Sequence, residues 1–234
     1  ISISHINLSI IMKVLVFDTE TTGLPIDRNA PPTQTEKWPH IVQIGFVLYE
    51  TETGEVISYR DDIIKIGNSV ELTDESVEIH KITREITKDK GVSLRESIGK
   101  FNEALCEAHV IVAHNLEFDK KMIMVECIRL GENNYFNING VPRPEFCTMQ
   151  RSIDICKIEK VNPRTGKTYF KWPRLSELYE HLFCETPKGC HNAVADVIFC
   201  LRCYVKIKFG RDIFINASDR LNLMYNIADA QILL

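Results

Sequence analysis

The stretch Lys13-Val14-Leu15-Val16-Phe17-Asp18-Thr19-Glu20-Thr21-Thr22-Gly23-Leu24 sets the reading of the whole chain. Lys13 to Asp18 is a short, β-branched apolar run ending in a carboxylate, and Thr-Thr-Gly follows it as a turn signal. This pattern predicts a buried strand. Asp18 and Glu20 are two residues apart, so strand alternation points both side chains to one face at the strand end. Two carboxylates placed that way repel each other unless a cation lies between them. For this segment by itself, a strand edge finished by solvated acids is the alternative.

Outward from this strand, residues 25–39 form a polar, proline-bearing loop, and Ile41 to Tyr49 (IVQIGFVLY) reads as a second buried strand. Thr53-Gly54 marks a hairpin turn and Val56 to Ile66 a third strand, so the first three strands form an antiparallel meander. The period then lengthens. Leu94, Ile98, Phe101 and Leu105 recur at helical spacing within 93–107, which predicts an amphipathic helix. Val110 to Ala113 is a short strand, and 115–130 a helix with Asn115 as cap and Gly131 as stop. A loop over 131–145 leads to a short strand over 146–149 and helical turns to Ile158. A basic loop spans 159–173, with helices over 175–183 and 192–209. A meander followed by helix–strand–helix units predicts an α/β domain whose mixed sheet has helices on both faces. The expected boundaries are a disordered or non-native arm over 1–11, one domain over 12–210, and a helical tail over 211–234.

Composition narrows the function classes. With 234 residues, 44% apolar and 26% charged, the chain is neither disordered, collagen-like nor a coiled coil as a whole. A net charge of −4 excludes a generally basic nucleic-acid coat, though not a local basic groove. Such a groove is offered by Lys157, Lys160, Arg164, Lys167, Lys171 and Arg174, set against the single acid Glu159 and interleaved with Tyr169, Phe170 and Trp172. Cations track phosphates and aromatic rings stack on bases, so this loop is a candidate single-strand contact, with a solvated loop as the plain alternative. The eight cysteines mostly lie in apolar runs and fit a reducing, cytoplasmic location. Cys200-x-x-Cys203, with Cys184, Cys190 and His191 nearby, invites a zinc reading, but its partner knuckle is missing. No apolar run reaches the roughly 18 residues of a membrane helix.

Two further motifs carry chemistry. In His114-Asn115-Leu116-Glu117-Phe118-Asp119, Asp119 lies one turn into a helix that is apolar on most of its circumference. A buried carboxylate there would be paired or would bind metal; a first-turn acid favoured by the helix dipole is the alternative. In His191-Asn192-Ala193-Val194-Ala195-Asp196, Asp196 heads the apolar row Asp196, Cys200, Cys203, Ile207. His191 precedes it near the helix start, as a candidate general base.

Together the three motifs resemble the DEDDh 3′–5′ exonucleases, the group of bacterial proofreading epsilon subunits, ribonuclease T and three-prime repair exonucleases. The D-x-E motif matches Asp18 and Glu20, the middle H-N-x-x-F-D motif holds Asp119, and H-x-x-x-x-D matches His191 and Asp196. Ile41-Val42-Gln43-Ile44-Gly45, His80-Lys81-Ile82-Thr83 and Cys147-Thr148-Met149 resemble lesser family segments; Lys81 departs from the usual glycine, and the first loop is long. The resemblance, from about Val14 to Phe209, implies a ribonuclease H-like fold with a mixed five-stranded sheet. It implies that Asp18, Glu20, Asp119 and Asp196 ligate two divalent cations, Mg²⁺ or Mn²⁺, and that His191 deprotonates the water. Thr21, Thr22, Leu24, Asn115 and Phe118 would touch the terminal nucleotide, Leu24 as a wedge between bases. The implied activity is release of nucleoside 5′-monophosphates from DNA or RNA 3′ ends, single-stranded ones by expectation. A DNA polymerase is a candidate partner and residues 211–234 the candidate contact. The competing readings are a catalytically silent nucleic-acid-binding or polymerase-bridging module of the same fold, and a zinc-stabilised interaction protein. Without cations the four acids should show raised pKa values.

Overall fold

A computed structural model describes residues 12–187, 192–215 and 217–230; the expected arm over 1–11 lies outside these. Strands β1 (Lys13–Thr21), β2 (Ile41–Glu50) and β3 (Val56–Ile63) are followed by helices α1 (Asp74–His80), α2 (Arg84–Asp89) and α3 (Leu94–Glu107). Next come β4 (Val110–Ala113), α4 (Leu116–Leu130), the two-residue strands β5 (Asn137–Ile138) and β6 (Val141–Pro142), and β7 (Glu145–Cys147). The chain continues through α5 (Thr148–Arg151), α6 (Ile153–Cys156), β8 (Glu159–Val161), β9 (Thr168–Phe170), α7 (Leu175–Phe183), α8 (Ala193–Phe209) and α9 (Asp219–Ala230). The main sheet has the order β3-β2-β1-β4-β7. The meander is antiparallel, and β4 and β7 add in parallel. The mixed five-stranded sheet is thus as expected, with helices on both faces.

The central strand β1 feeds two cores by alternation. Leu15 and Phe17 join α3 and α4 in one, where Phe17, Phe46, Phe101 and Phe136 form an aromatic cluster. Val14 and Val16 join α7, α8 and α9 in the other. All ten residues of β2 are buried, which is why the strand is nearly continuous in apolar side chains. No described helix is long and apolar enough to cross a membrane.

The structure differs from the sequence expectation in several places. β1 extends to Thr21, so Asp18 and Glu20 lie within the strand rather than at its end; pairing with β2 persists to Thr21 across a bulge after Glu20. α1 and α2, unassigned from periodicity, are too short to show a face; their Thr73 and Thr83 hydroxyls cap the amides of Ser76 and Ile86. Lys81 takes the left-handed conformation at φ 62°, so the turn survives without glycine, at a cost of roughly 1–2 kcal/mol. Asn115 holds the N-cap position of α4 with φ 82°, but its side chain makes no capping hydrogen bond. The segment read as a basic loop is a β-hairpin, β8–β9, closed over Asn162–Lys167 by Asn162 Oδ1 accepting from Arg164 and Thr165 amides.

Candidate active site

Asp18 and Glu20 share the face of β1 that continues Val14 and Val16, the face covered by α8. Asp196 enters from the first turn of α8, and oxygens of the three carboxylates lie within 4.8 Å of one another. They meet because α8 starts unusually close to the sheet. Asp18 pairs across β2 with Gly45, and a Cβ on Gly45 would lie 2.8 Å from the backbone C and O of Ala193. No side chain larger than hydrogen fits there. Gln43, two residues earlier on β2, accepts from the Ala193 amide at 3.3 Å through Oε1 and donates to Asp61 at 2.6 Å through Nε2. The Asn192 side chain caps Val194. Gln43 and Gly45 were missed as site-builders; a Gln and a Gly inside an otherwise apolar buried strand are the sequence signal.

Asp119 arrives from the opposite layer. Thr19 follows the Leu15 and Phe17 side of β1, and its hydroxyl and amide both donate to Asp119 Oδ1, at 2.7 and 3.2 Å. Asp119 is therefore adjacent to the cluster rather than one of the three oxygens within 4.8 Å. The negative charge of Asp196 acts on the other three acids. Burial, with the charges of Asp119, Asp196 and Glu20 behind it, holds Asp18 well above the usual carboxylate range. Burial with Asp196 and Asp119 pushes Glu20 up to about 8. Burial raises Asp119 to about 7 although the Thr19 hydrogen bonds oppose it. Such acids ionise when a cation offsets their repulsion. An all-oxygen set suits Mg²⁺ or Mn²⁺ rather than zinc or copper. Among the described residues this is the one group with metal-binding geometry. Cys200 and Cys203 are buried in α8 and form no such group, so the described residues give the zinc reading no support.

His191 and Cys190 lie outside the described residues. Two other histidines near the site are locked in place. His114 stands between the Thr148 hydroxyl and the Pro173 carbonyl, at 2.9 and 3.0 Å, and burial lowers its pKa to about 4. His80 accepts from the Ile82 amide and faces the Thr21 carbonyl, fixing that peptide beside the acids.

The expected nucleotide contacts divide. Leu24 is 74% exposed and so lies outside the core. With Asn115 and Phe118 it lines a hollow of about 310 Å³. Thr22 is buried and exchanges hydrogen bonds with His40. Thr21 is half-buried and donates its hydroxyl to the Gly23 carbonyl.

The family model described as exonuclease, RNase_T, matches residues 15–204, which takes in β1, α4 and the start of α8. The chain belongs to the DEDD exonuclease family. Solved structures similar to this exonuclease domain include E. coli exonuclease I in complex with a dA16 oligonucleotide (TM-score 0.63, 18% identity, 86% of this chain and 42% of that one). They include the zinc ion-bound form of the E. coli ExoI–ssDNA complex (0.60, 19%, 87% and 42%). A moderately thermophilic exonuclease I from Methylocaldum szegediense is similar too (0.58, 18%, 91% and 44%). At these identities the likeness shows the fold, and the chain spans less than half the length of each of these relatives. A search of curated protein sequences finds no significant match.

Proposed function

We propose that the chain is a metal-dependent 3′–5′ exonuclease that releases nucleoside 5′-monophosphates from single-stranded 3′ ends. The observation that carries this reading is the meeting of Asp18, Glu20 and Asp196 oxygens within 4.8 Å, with Asp119 coupled to them electrostatically. Bound divalent cations at such a site supply charge neutralisation and water activation for phosphodiester hydrolysis. Asp18, Glu20 and Asp196 hold them, and Asp119, oriented by Thr19, completes the ligand set. His191 takes the proton of the attacking water; its ordinary pKa of about 6.5 suits that task. Leu24 separates the terminal base from the next, and the Thr21–Thr22 backbone lies along the terminal nucleotide.

The β8–β9 hairpin supports a single-strand path. Lys171 is held by Glu177 at 2.6 Å and Arg174 by the same carboxylate at 3.1 Å. This anchors the hairpin base and leaves Lys157, Lys160, Arg164 and Lys167 as its outward cations for phosphate. The exonuclease I relatives solved with single-stranded DNA favour the same substrate class. We take 12–210 as the catalytic unit and α9 as an addition packed on α8 through Leu221 and Met224. The test is digestion of 5′- and 3′-labelled DNA and RNA, single- and double-stranded, in Mg²⁺. Stepwise 3′ shortening with 5′-monophosphate product is expected; binding without shortening would leave a silent nucleic-acid module.

A further inference from the structure

We propose that Asp61 of β3 is a positioning residue for Asp196, acting through Gln43 and the peptide between Asn192 and Ala193. The proposal rests on the exonuclease reading and adds to it a carboxylate that no motif marks. Strand register places it. Asp18 of β1 lies opposite Gly45 of β2, and Gly45 lies opposite Asp61. Cross-strand partners share a face, so the three form one row on the side covered by α8. The next row on that face is Glu20, Gln43 and Ile63. Gly45 leaves the middle of the first row open, and the start of α8 fills it at Ala193. Asp18 and Asp61 therefore flank the beginning of α8 from two strands away, a separation of roughly 10 Å at two strand spacings. Asp61 stands apart from the three acids whose oxygens meet, and it reaches Asp196 through hydrogen bonds.

Ala193 is buried, and its N–H is one of the first-turn amides that a helix cannot pair internally. It donates to Gln43 Oε1 at 3.3 Å. The carbonyl of the same peptide, Asn192 O, accepts from the Asp196 amide at 3.0 Å. Peptide planarity makes these two bonds one unit, so a tilt of the 192–193 peptide moves Asp196. Gln43 is 2% exposed, and its amide must therefore find its partners in the protein. An amide can turn either its oxygen or its NH2 toward a neighbour. Here the Ala193 N–H only donates, and the Asp61 carboxylate, 2.6 Å from Nε2, only accepts. A flipped Gln43 would set donor against donor at Ala193 and oxygen against oxygen at Asp61. Asp61 thus fixes which end of Gln43 meets α8. Its short bond to Nε2 also polarises the amide and strengthens Oε1 as an acceptor. Arg60 does not compete for Asp61: alternation turns it to the opposite face, where it binds Asp62 and Glu96.

The experiment compares the wild type with Asp61→Ala, Asp61→Asn, Gln43→Met and the double variant Asp61→Ala with Gln43→Met. Asp61 is half-buried on the edge strand of the sheet, so Asp61→Ala leaves both cores intact. Hydrogen exchange at the Ala193 amide reads the relay without metal. Asp61→Ala should speed it by about 2- to 12-fold, the worth of one buried hydrogen bond. The Mg²⁺ concentration that gives half of the metal-induced gain in Tm should rise by a similar factor, as should that for half-maximal 3′ shortening. Asp61→Asn, which keeps an acceptor oxygen in place, should recover most of both losses. The double variant should be no worse than Gln43→Met alone. If Asp61→Ala lowers the metal-free Tm but leaves Ala193 exchange and the Mg²⁺ midpoint unchanged, Asp61 supports only the fold and the proposal is overturned. The exonuclease reading still stands in that case if the wild type shortens 3′ ends. A wild type that gains no Tm from Mg²⁺ and shortens no strand would remove both, because the relay would have no metal ligand to place.

Discussion

Replacing Gly45 by alanine tests the geometry that assembles the site. The added Cβ would sit 2.8 Å from the Ala193 carbonyl carbon and oxygen and 3.0 Å from its Cβ. Ordinary carbon contacts lie at about 3.5–4.0 Å, so the start of α8 must retreat from β2 by about 0.7 Å or more. The Gln43–Ala193 hydrogen bond is already 3.3 Å long and would be lost with that movement. Asp196 rides on the same turn and would draw away from Asp18 and Glu20. Overpacking of this kind costs about 1–3 kcal/mol of stability, and a misplacement near 1 Å in a catalytic group costs on the order of 10²-fold in rate. Thermal unfolding and exonuclease turnover across a Mg²⁺ titration would be measured together. The expected result is a lower Tm, slower turnover and a higher Mg²⁺ requirement. Gly99 provides the control. It lies inside α3, and an added Cβ there would meet nothing within 4 Å, so Gly99→Ala should gain about 1 kcal/mol at unchanged activity. Wild-type turnover and metal dependence in Gly45→Ala would refute the close-approach argument.

Other outcomes follow from the same site. Asp18→Ala or Asp196→Ala should abolish hydrolysis while the fold persists, and metal-free stability should rise as repulsion falls; near-normal turnover in Mg²⁺ would contradict the assignment. Chelation with EDTA should stop activity, Mg²⁺ or Mn²⁺ should restore it, and Ca²⁺ should support binding with little turnover. The Glu20 carboxyl rises from 4.5 to about 8 on folding, so without metal the folded state holds a proton the unfolded chain has lost; Tm should fall as pH rises between those values, and the Mg²⁺-induced gain in Tm should grow with pH. A flat metal-free profile over that window would count against the coupled acids. His191→Ala should slow chemistry by roughly 10²–10⁴-fold and remove the acidic limb of the pH–rate profile; His114, held near 4 by burial, cannot supply that limb, so its retention would displace His191 as the base.

Much of this protein was legible in the order of its residues. Apolar runs of period two and amphipathic runs of period 3.6 are local properties, so β1, β2, α3 and α8 could be placed from side-chain pattern alone. The acids were legible for a related reason: carboxylates are costly inside apolar segments, and Asp18, Glu20, Asp119 and Asp196 stand out against their neighbours. What pattern does not carry is distance between elements far apart in the chain. Only the folded molecule shows that Gly45 admits Ala193, or that Asp119 turns to Thr19. Neither could sequence show that Gln43 joins Asp61 to the start of α8. The short helices α1 and α2 and the β8–β9 hairpin escaped because they are exposed and few-residued, and are held by caps and turn hydrogen bonds rather than by a buried face. Periodicity records which side of an element is buried; close approach, and with it the site, is decided by how the buried sides of different elements pack.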